Sequence, residues 1–427
     1  MNLYPEQISD YNQRNFGSHN RQWEALSLQI QQRQLDPADL VKRVRDYKIA
    51  VPSWALGAGG TRFGRFGIAG EPANLENKIE DVALLKNLSA ATHSISLHIP
   101  WDIPNDPSAI REFAQKQGVH FDAVNSNTFQ DQPNQKHSYQ FGSLCHVDQR
   151  VREQAIAHNC EVIDWGKSLG SKSLTVWLAD GSGFPGQASF RGQWERTLDS
   201  LKTIYAHLPE DWRVLVEYKP YEPNFYSTVI QDWGTALLLA DALGDKAFCL
   251  VDLGHHLPHV NIEQIVATLL MKGKLGGFHF NDSKYGDDDL TVGSINPYAL
   301  FLIFYELRCG IDDCQEKNLN PAWMIDASHN LKDPLEDLLQ SLEAIKIAYA
   351  KALLVDQEAL EVARNENDVT LAQEILQDAY LLDVRPLLRE SRLSVGAAID
   401  PIDLYREKEV RKVLTTERGV ASVATGL

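Results

Sequence analysis

Eight short apolar runs, each followed by a longer amphipathic stretch, constrain this chain more than any other feature. The runs are Lys48–Val51, Ser94–Ile99, Phe121–Asn125, Ser173–Leu178, Arg213–Glu217, Ala247–Asp252, Gly276–Asn281 and Ala322–Asp326. Segments with helical periodicity lie between them, among them Gln149–Leu169, Gln193–His207, Ile262–Lys272 and Pro334–Tyr349. Strand alternating with helix implies a parallel sheet, and eight such units imply a (β/α)8 TIM barrel. A doubly wound sheet is the competing architecture. It gathers only a few strand ends at one place, whereas a barrel gathers all of them on one face. Residues with chemical potential follow nearly every run here, which favours the barrel. No GxGxxG fingerprint follows a strand, and Gly57-Ala58-Gly59-Gly60 has the wrong frame for a phosphate cradle. The expected organisation is an N-terminal helical segment over 1–47, an α/β barrel over 48–350, and a C-terminal helical extension over 351–427 with a mobile tail from Gly419.

A length of 427 residues accommodates one large barrel with extra helices. The 58 acidic residues outnumber the 41 basic ones, and a net charge of −17 repels phosphate backbones, so nucleic acid is excluded as a partner. The five cysteines are odd in number and lack zinc-finger or redox spacing, which favours a reducing compartment. Met1 to Phe16 is polar, and no stretch approaches the roughly 20 apolar residues that span a bilayer. A cytoplasmic protein with no membrane partner is expected.

The ends of the last four runs carry metal-ligand chemistry. Glu217 closes the fifth run, and alternation turns Lys219 to the same side, as a ligand and a polarising cation or as a plain ion pair. Asp252 closes the sixth, with His255 three residues on across Gly254. His279 lies in the seventh, with Asp287 and Asp289 on the following loop, and Asp326 ends the eighth. Any one of these has an ordinary reading: a capping Asp, a core histidine, a solvated acidic turn. Together they are five carboxylates and two imidazoles from four consecutive strands. That is too many for one octahedral ion and fits two adjacent divalent ions bridged by one carboxylate, for which Glu217 is placed. One ion takes Glu217, Asp252, His279 and Asp326; the other takes Glu217, His255, Asp287 and Asp289. Mn²⁺, Mg²⁺, Co²⁺ or Zn²⁺ suits such donors. Asp282 and Asp288 are left as supporting or solvated residues.

The first four runs lead instead to aromatic and amide groups: Trp54, His98 with Trp101, Asn125 to Phe129, and Trp177. A sugar needs such a wall, its C–H face on the rings and its hydroxyls on polar groups. Ordinary packing at the barrel mouth explains any single tryptophan equally well.

These stretches resemble a known family. Val51-Pro52-Ser53-Trp54, Gly59-Gly60-Thr61-Arg62-Phe63, Ser96 to Asp102, Asn125 to Phe129, Asp180-Gly181-Ser182 with Phe184-Pro185-Gly186-Gln187, Val251 to His256 and Gly276 to Leu290 are similar to the broad-specificity bacterial L-rhamnose isomerases, within the xylose-isomerase-like TIM-barrel superfamily. The resemblance implies conversion of L-rhamnose to L-rhamnulose and related aldose–ketose pairs, two Mn²⁺-type ions on the seven ligands above, and a homotetramer in which Phe63 reaches a neighbouring active site. A metal-assisted hydride shift between C1 and C2 is the implied chemistry, with Lys219 polarising the reacting end. An enediol route, to which Asp326 or Glu217 contributes, is the rival. The chain departs from one branch of the family in having Tyr218 between Glu217 and Lys219, where alternation turns it away from the barrel interior. A ketose 3-epimerase needs only about four ligands, a metal phosphodiesterase wants basic surroundings, and a sugar-binding protein has no use for the carboxylate cage.

Overall fold

The eight runs form eight parallel strands, hydrogen-bonded in chain order. They are β1 (Val51–Pro52), β2 (Ser94–Ile99), β3 (His120–Ser126), β4 (Ser173–Val176), β5 (Arg213–Glu217), β6 (Ala247–Asp252), β7 (Leu275–Phe280) and β8 (Ala322–Ile325). Ala50 closes the ring: its N–H donates to the Trp323 carbonyl at 2.7 Å, and its carbonyl accepts from the Ile325 N–H at 3.1 Å. The computed structural model describes residues 5–57, 60–61, 64–65, 67–313, 319–327 and 331–420. β1 lies later than the expected Lys48–Val51 run and is only two residues long. Pro52 has no N–H to extend the ladder, and the chain turns at once into a 3-10 helix over Ser53–Ala55.

Helices α1 (Pro5–Gln32) and α2 (Pro37–Asp46) precede the barrel. One helix then follows each strand: α3 (Leu75–Ser89), α4 (Pro107–Gln117), α5 (Gln149–Leu169), α6 (Phe190–His207), α7 (Trp233–Leu243), α8 (Ile262–Lys272), α9 (Pro297–Asp313) and α10 (Pro334–Leu353). Most begin on a side-chain cap, such as Asp106 of α4, Asp148 of α5 and Asn261 of α8, each accepting an N–H of the first turn. Among the described residues five helices follow α10: α11 (Gln357–Glu366), α12 (Val369–Leu381), α13 (Arg385–Leu393), α14 (Pro401–Glu407) and α15 (Val410–Arg418). Among the described residues no helix is long and apolar enough to cross a membrane.

The barrel interior is layered. Ala123, Leu215 and Leu250 meet as a small apolar plug with Phe248 and Ala322 against it. Two residues further along the same strands come Asn125, Glu217 and Asp252, on the same inward side by strand alternation. The apolar plug therefore floors a polar chamber. Gly276 is required at that floor, because a Cβ there would lie 2.3 Å from Phe248 Cβ and 2.7 Å from Leu215 Cδ2.

Helices from both ends of the chain share one apolar cluster. Leu26 and Ile30 of α1, Leu40 and Val44 of α2, Leu353 of α10 and Leu387 of α13 belong to a single buried cluster. Farther on, α15 ties the start of α10 to α3. Arg411 grips Asp333 through two bonds of 2.8 and 2.7 Å, and Tyr405 donates to the same carboxylate at 2.7 Å. Asp333 also caps α10 through the Leu335 N–H at 2.9 Å. Arg418 grips Asp81 of α3 at 2.8 and 2.7 Å. Asp333→Ala loses the cap and strands a largely buried guanidinium, so it should cost about 3 kcal/mol. A shift of the urea midpoint with unchanged slope measures it; a midpoint within error of wild type would show that the strap contributes nothing.

Candidate metal centre and substrate slot

Each polar side chain of interest is delivered by the end of a strand or by the loop that follows it. Glu217 ends β5 and is buried; its Oε1 stands 3.1 Å from His279 Nδ1 and 3.3 Å from His255 Nδ1. His279 Nδ1 is also 3.3 Å from Asp326 Oδ2 and 3.6 Å from Asp252 Oδ2. His255 Nε2 lies 3.3 Å from Asp287 Oδ1. Among the described residues these make two compact groups: Glu217, Asp252, His279 and Asp326, and beside them Asp252, His255 and Asp287. Within each, one donor atom per residue lies within 4.8 Å of every other.

The first group is the set expected for one ion. The second differs from expectation in its membership, since Asp252 takes the shared place expected of Glu217, which falls only into the first group, and Asp289 falls into neither. Asp289 stands at φ 46°, and its Oδ1 accepts from Asn281 Nδ2 at 3.4 Å. Lys219 donates to Asp287 Oδ2 at 2.5 Å and sits 2.7 Å from Glu222 Oε2. Asp282 accepts the backbone N–H groups of Ser283, Ile295 and Asn296, and Asp288 those of Lys284 and Tyr285. Both carboxylates organise the loop after β7 and stand outside the two groups. Tyr218 points outward, as alternation requires, and bonds His256 Nε2 at 2.8 Å.

Whether these residues suit a cation can be tested on Asp252. Its Oδ1 is held by the Gly254 N–H at 2.7 Å and by Asn281 Nδ2 at 2.9 Å. Its buried Oδ2 has no hydrogen-bond partner among the described residues and faces His279. A buried bare carboxylate oxygen is costly unless a positive group meets it, so the donor set fits a divalent ion.

The titration of the metal-free cluster points the same way. Burial alone would raise the Glu217 carboxyl, yet His279 and His255 hold it down at about 2. Burial alone would lower both histidines, but Glu217 and Asp252, with Asp287 beside His255, hold them well above the usual imidazole value. Asp287 is held below the carboxylate range by His255 and Lys219 against the opposing effect of burial. Burial, then the neighbouring carboxylates, push Asp289 well up, and Asp326 is raised chiefly by burial although His279 opposes it. A cation must therefore displace protons from groups whose pKa values are raised, so affinity should weaken as pH falls from 8 to 5 and each ion bound should release protons. Calorimetry in buffers of different ionisation heat measures the release; a buffer-independent heat would contradict it.

An aromatic wall runs from one side of the cluster to the other. Trp54 meets His98 at 5.4 Å between centroids, His98 meets Phe129 at 5.7 Å, Phe129 meets Trp177 at 4.7 Å, and Trp177 lies 6.5 Å from His255. Trp101 thickens it behind His98 at 4.5 Å. The Trp54 indole donates to Asp326 Oδ1 at 2.9 Å, which joins the wall to the first group. The Lys219 ammonium stands 5.1 Å from the Trp177 ring centroid, and Asp287 and Glu222 raise its pKa against burial, so it stays charged. Burial lowers His98 to about 3, leaving a neutral imidazole whose Nδ1 has no partner among the described residues. Phe63 lies outside the described residues.

Three contributors escaped the sequence reading. Asn281 is two residues beyond His279, and its parity alone places it on the same side. Glu222 follows Lys219 through a Pro-Tyr turn with no periodicity to reveal it. Asp102 accepts from Lys78 at 2.6 Å and from Ser53, fastening the ends of β1 and β2.

The fold is a TIM barrel whose strand ends and loops gather groups that could hold a metal ion, and comparison with known proteins gives its class. The xylose isomerase-like TIM barrel family matches residues 88–301, and the chain belongs to it. It is 52% identical over 398 residues to a probable sugar isomerase of Rhizobium meliloti, covering 93% of this chain and 92% of that protein. It is 51% identical over 406 residues to a probable sugar isomerase of Mesorhizobium japonicum, covering 95% and 94%. A solved structure of L-ribulose 3-epimerase superposes with a TM-score of 0.51 at 16% identity, over 76% of this chain and 97% of that one, a likeness of fold.

Proposed function

We propose that this chain is a divalent-metal-dependent aldose–ketose isomerase that converts L-rhamnose to L-rhamnulose and accepts related aldoses. The carrying observation is the juxtaposition of two carboxylate–imidazole groups with a continuous aromatic wall. The two probable sugar isomerases that share half of its residues support the reaction class. Glu217, Asp252, His279 and Asp326 would hold one ion, and Glu217, His255, Asp287 and Asp289 the other, with Asp252 near enough to serve both. When bound, two such ions, Mn²⁺ first by the resemblance and Co²⁺, Zn²⁺ or Mg²⁺ as substitutes, supply Lewis-acid polarisation of sugar oxygens and a water acidified for proton transfer.

The chain's own residues do the rest. The wall from Trp54 through His98 and Phe129 to Trp177 takes the C–H face of the open-chain sugar and excludes water. Neutral His98 pairs with a hydroxyl without presenting a charge. Lys219 remains a cation and stabilises negative charge developing at O1 as hydrogen passes between C2 and C1. Asp326, fixed by Trp54, is placed to take or return the hydroxyl proton, and Glu217 keeps both histidines aimed into the site. The resemblance further implies a homotetramer with the Phe63 loop at a neighbouring site, which light scattering of the purified protein would check.

Metal-loaded protein incubated with a panel of aldoses tests the reading: ketose from L-rhamnose is expected, and none from any aldose would overturn it. In D₂O the hydrogen leaving C2 should be retained at C1, while wash-out would exclude a hydride shift. A ketose 3-epimerase is the second reading, because the first group alone supplies the four ligands one ion needs; interconversion of ketoses without aldose would establish it. Phe129→Ala should raise KM about tenfold, with kcat nearly unchanged, through loss of ring packing. A fall in kcat at constant KM would place Phe129 in the chemistry instead.

A further inference from the structure

We propose that Asn281 is a positioning residue that makes the second cation group: its amide ties Asp252, the carboxylate common to both groups, to Asp289. The inference rests on the two-ion reading above and adds to it a residue that is not itself a ligand. Asn281 is 1% exposed and is the first residue beyond β7. Its Nδ2 donates to Asp252 Oδ1 at 2.9 Å and to Asp289 Oδ1 at 3.4 Å. Two consequences follow. With Oδ1 of Asp252 engaged by Asn281 and by the Gly254 N–H at 2.7 Å, it is Oδ2 that is offered to a cation. Asp289, which distance alone leaves out of the second group, is held beside it against repulsion from Asp252, Asp287 and Asp326. An amide can do this because it carries donors and no charge, whereas a further carboxylate would add to the repulsion and a lysine would compete with the cation.

The backbone makes room for the arrangement. A Cβ at residue 254 would come within 3.2 Å of Asn281 Oδ1 and 3.3 Å of Asp252 Oδ1, so glycine there lets the amide and carboxylate approach. Asp289 itself takes a left-handed backbone, φ 46°, with its carboxylate against Asn281. Non-glycine residues rarely adopt that conformation without support from their surroundings, and the Asn281 contact provides it.

Titration of metal-free full-length protein with Mn²⁺ tests the proposal without any sugar. Wild type should take up two equivalents. Asn281→Ala should bind the first within about threefold of wild type and the second at least tenfold more weakly, and the electron paramagnetic resonance signature of a coupled Mn²⁺ pair should fade at the same metal concentration. Asp289→Ala should weaken the same step, and the double variant should be no worse than the worse single one, because one residue acts through the other. If circular dichroism finds Asn281→Ala unfolded, Asn281→Leu, of similar shape and without donors, carries the same comparison. Two equivalents bound as in wild type by a folded donor-less variant, or additive losses in the double variant, would overturn the role of Asn281. A wild type that binds only one ion would overturn the two-ion reading itself, and the role with it.

Discussion

Glu217→Gln should reduce turnover by at least ~10³-fold while leaving the barrel folded. Loss of one preorganised electrostatic group at a reacting centre typically costs 10²- to 10³-fold, and here a carboxylate of the first group also meets His255 of the second. Its Oε1 is the atom common to His255 and His279, at 3.3 and 3.1 Å. The amide keeps the shape but removes the charge, so both histidines lose the partner that orients them and the first group loses a ligand. Circular dichroism and Mn²⁺ titration separate the causes: secondary structure should be unchanged, and affinity for both ions should fall. Turnover within tenfold of wild type would show that Glu217 does not couple the two groups.

Removal of the metal should have the second largest effect. Chelation should abolish turnover and also lower the melting temperature. An ion that binds only the folded chain contributes about 2.7 kcal/mol at 100 times its Kd, and two ions contribute about twice that. Removal also returns Asp289 to repulsion from Asp287, Asp326 and Asp252, which protonation of Asp289 relieves. Differential scanning calorimetry of Mn²⁺-loaded and chelated protein should show a shift of several degrees, smaller at pH 5 than at pH 8, because at low pH protons replace the cations. An identical transition at pH 8 with and without Mn²⁺ would mean that the cluster is held by its internal ion pairs alone.

The barrel could be read from the sequence because each strand runs apolar into a polar or aromatic end, and that local pattern survives folding. Ser94–Ile99, Arg213–Glu217 and Ala247–Asp252 have the same bounds in the chain's pattern and in the structure. β1 was less legible, since Pro52 truncates a run that looks longer. Inward-facing residues were legible by parity, which places Glu217, Asp252 and His279 in one chamber. The membership of the second group was not. It depends on the path of the loop after β7 and on the left-handed turn at Asp289, and neither leaves a periodic trace. The strap from Arg411 to Asp333 spans 78 residues and carries no local signal. Helices that looked like separate N- and C-terminal additions share the cluster of Leu26, Val44 and Leu387, because amphipathic helices report an apolar face without naming its partner.

Ketose formation from L-rhamnose, followed by NMR as Mn²⁺ is added stepwise to metal-free protein, tests the two-cation isomerase most directly. L-rhamnulose should be absent from the chelated sample, should rise to its full rate only as the second equivalent binds, and should be undetectable with Glu217→Gln at any metal concentration. Full turnover in excess chelator, or no ketose at two equivalents bound, would contradict it.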